Sequence, residues 1–383
     1  MSAGGPGRPR EAEKSRVDSA IDWLEQRLNL TEIFSFLTHF GIVYTPVDTR
    51  LPLRAALRRI GASPLVSYAR WPQVLGLLTA LLFGLETVTG ILLAFYYHPT
   101  ADGAYDSTTA IVRDVPAGWF IHQMHHWGAL LLVGVVVARV IRLFWDRLYH
   151  PPRELLWLSA VWLMWVALQL DFTGRLLPWD VHSYWSSMRG LELIGSQPVI
   201  GPLIGFVLGG RVITENVLVR SYALHIIVLP LFYLGGVWIT FATMRRIGLS
   251  MQAEGGDESS RTTWHRHTLN LLILLVLLTA GLVTLATLLP FRFHGPADPY
   301  STPANTRPPW YLLSPFPLVQ LLRAPEWVAG LVLLLSGLVV PILPLWAARH
   351  PRRLSDQGLR RLGIVLLSLW AVFTVLGAFA GRR

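Results

Sequence analysis

His125 and His225 are the residues of this sequence best placed to do chemistry. Each lies a few residues inside a long apolar segment, His125 in the second (near 117–142) and His225 in the fourth (near 219–243). Segments two and four would cross in the same direction, so the two rings stand at similar depth. An ionisable residue inside a span is a functional candidate by default, and a haem iron takes two such imidazoles facing each other from neighbouring helices. Two histidines hydrogen-bonded within a helix bundle would fill the same positions, and position alone leaves both readings open. Gly76 and Gly90 stand 14 residues apart in the first segment, about four turns or roughly 21 Å along one face. Glycines there let the edge of a flat macrocycle approach the backbone, although small-residue helix packing produces the same pattern. Gly174 offers the same service from the third segment.

The elements that must position these residues are membrane helices. Of 383 residues, 52% are hydrophobic and 15% charged, a balance that belongs to the membrane class. Seven segments are long enough to cross the bilayer, near 72–96, 117–142, 155–172, 219–243, 268–290, 327–347 and 361–380. The expected fold is an all-α polytopic bundle with a four-helix core. The chain has no cysteine, which excludes disulfides, cysteine-ligated iron–sulfur clusters and thioether-linked haem. Its formal charge of +10 does not point to nucleic acid, because the basic residues flank apolar segments as the positive-inside rule requires. Arg142, Arg147 and Arg153, then Arg245 and Arg246, then Arg349, Arg352, Arg353, Arg360 and Arg361 fall on one side, which predicts a cytoplasmic N-terminus in a bacterial-type inner membrane. Residues 1–70 read as a cytoplasmic and interfacial segment, with an amphipathic helix carrying Ile21, Leu24, Leu28 and Ile33. Residues 71–250 form the four-span block and 251–383 the three-span block, divided at the polar stretch 251–266. Prolines 303, 308 and 309 forbid regular helix between Thr302 and Trp310.

Motifs along most of the chain resemble the cytochrome b family of quinol-oxidising bc and b6f complexes. They include Thr89-Gly90 through Phe95-Tyr96-Tyr97-His98-Pro99, Gly118-Trp119 through His125-His126-Trp127, Thr173-Gly174-Arg175-Leu176-Leu177-Pro178-Trp179-Asp180, Ser221-Tyr222-Ala223-Leu224-His225, and Pro308-Pro309-Trp310-Tyr311. The N-terminal block is similar to cytochrome b6 and the C-terminal block to subunit IV. The resemblance implies that His125 and His225 ligate the haem nearer the outer face, that Gly76, Gly90 and Gly174 admit it, and that His122, His126 or Arg175 meets its propionates. It implies partners on the outer face, an iron–sulfur or cytochrome c protein, within a membrane redox complex, with lipids and a second copy of the chain as further neighbours.

The family's second haem takes its ligands 14 residues after the first histidine and 15 after the second, and those positions hold Arg139 and Thr240. Arginine has no lone pair to offer and a threonine hydroxyl is a poor haem ligand. The family's fourth helix glycine is Ala160, beside the missing ligands. One b-type haem is therefore expected. Arg139 is expected to face water, a lipid phosphate, a quinone headgroup or a partner carboxylate, because an unpaired charge in hydrocarbon is costly. The glutamate that the family places in its outer quinol site is Pro309, which moves no proton. Candidates for a quinone site are Trp179, Asp180, His182, Pro309, Trp310 and Tyr311. Two functions follow as expectations: a single-haem electron-transfer subunit between a quinone pool and an outer partner, without stand-alone activity, or a structural anchor for other redox subunits without quinone turnover.

Overall fold

The computed structural model describes residues 51–62, 65–66, 71–197, 200–247, 261–262, 264–303, 306–325 and 327–379. The expected interfacial helix around residues 21–33 lies outside these, as does the 251–260 part of the boundary stretch. The chain divides into two compact units. In one, helix α1 (Leu53–Ala62) accompanies a two-residue antiparallel pair, β1 (Leu65–Val66) with β2 (Arg261–Thr262), in the register Leu65 to Thr262.

The other unit is helical. Helix α2 (Trp71–Ala94), the short α3 (Ala104–Asp114), α4 (Gly118–Trp145) and α5 (Glu154–Leu176) are followed by α6 (Val181–Gly195) and α7 (Ile200–Leu208). Then α8 (Glu215–Ala223) runs through a π turn (Leu224–Val228) into α9 (Leu229–Ile247). In hydrocarbon each backbone N–H and C=O needs an internal partner, so apolar runs of this length become helices. Contacts run from α2 to α4, from α4 to α5 and from α5 to α9, and Leu82, Val133, Val136, Trp157, Leu163 and Tyr233 between them are at most 1% exposed. Outward-facing Val88, Ile91, Leu231 and Trp238 are exposed, as lipid-facing side chains must be. The π turn has a cause in the sequence. Pro230 lacks an N–H and its ring crowds the carbonyl four residues back, and a wider turn relieves both.

Beyond this bundle come α10 (Trp264–Leu288), an irregular stretch, a single 3₁₀ turn (Trp310–Leu312), α11 (Pro315–Leu322), α12 (Trp327–Arg349) and α13 (Asp356–Phe379). The non-helical backbone before Trp310 is where the prolines predict it. Among the described residues six helices are long and apolar enough to cross a membrane, and α10 adds the shorter apolar run Leu272–Leu288, in keeping with seven spans. Helix α5 continues to Leu176, past Asp171, where the sequence ends the third span; the carboxylate pairs with Arg175 one turn on, at 3.0 Å, so the helix carries its own counter-charge.

Three fasteners tie the C-terminal elements to the bundle. Gln123 donates from Nε2 to Phe291 O and accepts from Phe291 N, both at 2.8 Å. Trp157 Nε1 donates to Pro341 O at 3.0 Å. Asp356, at the start of α13, accepts from Tyr149 (3.1 Å) and His150 (3.0 Å) and pairs with Arg147 (3.2 Å). Gln123→Ala leaves two backbone groups without partners and is expected to destabilise by about 2–3 kcal/mol. Thermal unfolding in detergent measures this, and Gln123→Glu, which can accept but not donate, should fall between the two.

Candidate functional site

His125 projects from the first turns of α4 and His225 from the π turn, and their ring centroids are 6.2 Å apart with planes at 77°. Their Nδ1 atoms are both occupied. His225 Nδ1 lies 3.1 Å from Leu170 O, and since a carbonyl only accepts, that nitrogen carries the hydrogen. It also meets Thr173 Oγ1 at 3.2 Å. His125 Nδ1 meets Thr89 Oγ1 at 2.9 Å and Glu86 Oε2 at 3.1 Å. Thr89 spends its own hydrogen on Leu85 O at 2.8 Å, so it accepts from the imidazole. Both rings are therefore held as the tautomer that leaves a lone pair on Nε2, the arrangement of a ligating histidine with its supporting partners.

Each histidine is seated against a Thr-Gly pair, Thr89-Gly90 on α2 and Thr173-Gly174 on α5. A Cβ at Gly90 would lie 3.2 Å from His125 Cε1, and one at Gly174 would lie 2.6 Å from His225 Cε1. The helices thus approach the rings more closely than any other residue allows. Gly76 meets nothing within 4 Å.

The family described as cytochrome b/b6/petB matches residues 62–248, and that described as cytochrome b (C-terminal)/b6/petD matches residues 296–382. Cytochrome b6 of Heliobacterium modesticaldum is 38% identical over 177 residues, 46% of this chain and 83% of the relative. This chain belongs to the cytochrome b/b6 family. The cytochrome b subunit of the menaquinol:cytochrome c reductase of Geobacillus thermodenitrificans is 29% identical over 236 residues, 61% of this chain and 98% of that protein. A solved chain of a hyperthermophilic respiratory Complex III superposes with a TM-score of 0.69 at 22% identity, covering 94% of this chain and 98% of its own, which shows a shared fold.

Membership of the cytochrome b/b6 family makes this a multi-pass membrane protein of a haem-binding type, and the spacing of His125 and His225 fits that group. A metal–imidazole bond of about 2 Å on each side, together with the reach from nitrogen to ring centre, sets the centroids about 6 Å apart; the observed separation is 6.2 Å. Around the pair, His122 is buried with its Nδ1 unpartnered among the described residues, and its ring lies 5.0 Å from that of Phe293. His126 lies over Phe291 at 4.5 Å.

The positions of the family's other ligand pair are filled by protein. Arg139 is 7% exposed and Thr240 4%, so of the environments expected for the arginine, open water is not the one it has. Thr240 donates to Ser159 Oγ (2.9 Å) and Gly236 O (3.0 Å). Ala160 is 1% exposed. Between the two levels Phe83 stacks on Tyr233 at 4.2 Å, with Arg139 as an electrostatic neighbour of the tyrosine.

The quinone-site candidates fall into two groups. Asp180 is fully buried and caps α6, accepting from Ser183 N at 2.7 Å and from His294 N at 3.1 Å. Trp179 O accepts from Ala297 N at 3.0 Å, and the His182 ring lies 4.0 Å from that of His294. Separately, Trp310 packs edge-on to Trp370 at 5.7 Å, and Tyr311 donates to Asp171 Oδ2 at 2.9 Å. Burial first, then the charge of Asp171, pushes the Tyr311 hydroxyl well above its ordinary range, so it stays a donor. Tyr97, just past α2, donates to Leu177 O at 2.8 Å, and burial followed by Tyr222 raises it likewise. Arg175 pairs with Asp171. Thr89, Thr173, Glu86 and Asp171 were not among the predicted site residues; the repeated Thr-Gly dipeptide was the available signal for the first two.

Gly174→Ala drives a methyl into a ring fixed by two hydrogen bonds, whereas Gly90→Ala asks its neighbour to yield a few tenths of an ångström. The haem-to-protein ratio of purified Gly174→Ala is expected to fall well below that of Gly90→Ala.

Proposed function

We propose that this chain is the electron-transfer subunit of a membrane redox complex, holding a single b-type haem between His125 and His225 and passing electrons between a quinone pool and a partner on the outer face. The observation that carries the reading is the pair of Nδ1-anchored imidazoles 6.2 Å apart, against a second level at which Arg139 and Thr240 are buried. When bound, the haem supplies one-electron chemistry; the chain supplies orientation, exclusion of water and tuning. Leu170 O and Thr173 hold one imidazole, Thr89 and Glu86 the other. His122, with a buried Nδ1 that has no partner among the described residues, is the propionate contact this arrangement favours, ahead of Arg175, which is engaged by Asp171.

Without an inner haem, electrons have no relay across the membrane, so exchange is confined to the outer half. The partner is of the iron–sulfur or cytochrome c class, as in the complexes of the family. Menaquinol, named in the Geobacillus relative, makes a naphthoquinol the first donor to test. Residues 71–250 serve as the haem-binding part and 251–383 as the part that closes the quinone site. The N-terminus is cytoplasmic: Asp356 joins the Arg147 loop to the start of α13, which supports placing both arginine-rich loops on one side.

Purified protein is expected to contain one b-type haem per chain by pyridine haemochrome and protein assay, with a reduced-minus-oxidised spectrum of a single component. Two haems per chain would refute the reading of Arg139 and Thr240, and none would favour a structural anchor. His125→Ala is expected to abolish the b-type spectrum.

A further inference from the structure

Asp171 is a largely buried carboxylate, paired with Arg175 and Tyr311, that has no part in holding the imidazoles. Its side chain is 10% exposed and it stands next to Leu170, whose carbonyl holds His225. Arg175 bonds both carboxylate oxygens through one nitrogen, Nη2, at 3.1 and 3.0 Å. A structural Arg–Asp pair usually engages two nitrogens side by side. Here Arg175 Nε is buried with no partner among the described residues. Tyr311 reaches Oδ2, leaving Arg175 as the recorded partner of Oδ1. The cluster therefore presents an acceptor and an unused donor together, beside Phe172 and Trp310. Buried polar atoms left unsatisfied call for a partner. An aromatic ring bearing a hydroxyl and a ring oxygen matches this combination.

We propose that Asp171 is the group that accepts the hydroxyl hydrogen of a quinol bound at the outer face, with Arg175 and Tyr311 as its positioning residues. This rests on the reading of the chain as a quinol-linked subunit. Oxidation of a hydroquinone to a quinone breaks two O–H bonds and releases two electrons. One proton forms a new O–H bond on Asp171 and the other passes to outer-face solvent. A haem held by His125 and His225 in its oxidised form, and an oxidised iron–sulfur or cytochrome c partner, would be the two one-electron oxidants that take up those electrons. Pro309 has no group able to take that proton, and the carboxylate comes instead from α5, within reach of the 3₁₀ turn. The charged and titratable groups facing Asp171 are Arg175 on α5, Tyr311 on the 3₁₀ turn, His126 on α4 and His225 on the π turn.

The test is stopped-flow reduction of the haem in the isolated complex by menadiol and, separately, duroquinol, with dithionite as a control that bypasses the site. Asp171→Asn is expected to slow quinol-dependent reduction by about a hundredfold, the lower side of what general-base groups contribute, and to flatten its pH profile. The dithionite-reduced spectrum should be unchanged, and Asp171→Glu should recover much of the rate. An Asp171→Asn rate equal to wild type with either active quinol overturns the proposal and leaves the quinol-linked reading intact. Wild type that dithionite reduces but neither quinol does removes that reading, and the proposal with it. If Asp171→Asn does not assemble haem, Asp171→Glu and Tyr311→Phe decide: a several-fold change in KM for quinol supports the assignment, and unchanged KM and kcat in both overturn it.

Discussion

The hydrogen bonds that fix Nδ1 of His125 and His225 are the constraint on which the rest of the molecule depends. An imidazole in a membrane bundle with both nitrogens free would choose its tautomer and rotamer from whatever polar atom came near. Here the choice is made by neighbouring helices: α2 offers Thr89 and Glu86, and α5 offers Leu170 O and Thr173. The two glycines after the threonines let those helices come close enough to make the bonds. Gly128 on α4 plays a similar part for the carboxylate, because a Cβ there would collide with Glu86 Oε1. Four helices are thereby placed by the requirements of two rings.

At the level of Arg139 the same bundle solves a different problem. The side chains of Arg139 and Thr240 are buried there, 7% and 4% exposed. The Thr240–Ser159 hydrogen bond and the Leu163 side chain against Gly236 occupy the interior there, with the Phe83–Tyr233 stack between this level and that of the histidines. A protein interior tolerates few voids, so the side chains at this level must fill the space between the helices. The small residues at 160 and 236 bring the helices together where larger ones would hold them apart.

Much of this was legible in the sequence. Apolar length announces the spans, because in hydrocarbon no alternative to helix exists for them, and the depths of His125 and His225 follow from their distance to the span ends. The family motifs then supplied roles that spacing left open. Other features were hidden for physical reasons. Asp171 reads as a span terminator until its counter-ion one turn later and Tyr311, 140 residues away, are brought to it by tertiary contacts. Asp180 reads as a quinone-site residue, and its parts in capping α6 and holding His294 come from tertiary contacts that the sequence does not display. The short helices α3, α6, α7 and α11 lie between the seven apolar segments, and their apolar faces are set by what they pack on.

The π turn at Leu224–Val228 has a bearing on the arithmetic of the fourth span. The family's ligand positions are 14 residues apart in one helix and 15 in the other, and in two uninterrupted α-helices the odd residue would swing the second position by about 100°. A π turn takes up one residue without advancing the face, so it acts as a phase correction. Thr240 points inward, 4% exposed, because the helix was retimed fifteen residues earlier around the histidine itself. Tyr233, fully buried, keeps its place by the same offset. The widened turn that seats His225 therefore also decides which residues of α9 count as interior, and losing a single residue there would rotate the packed face of the helix by about 100° toward lipid.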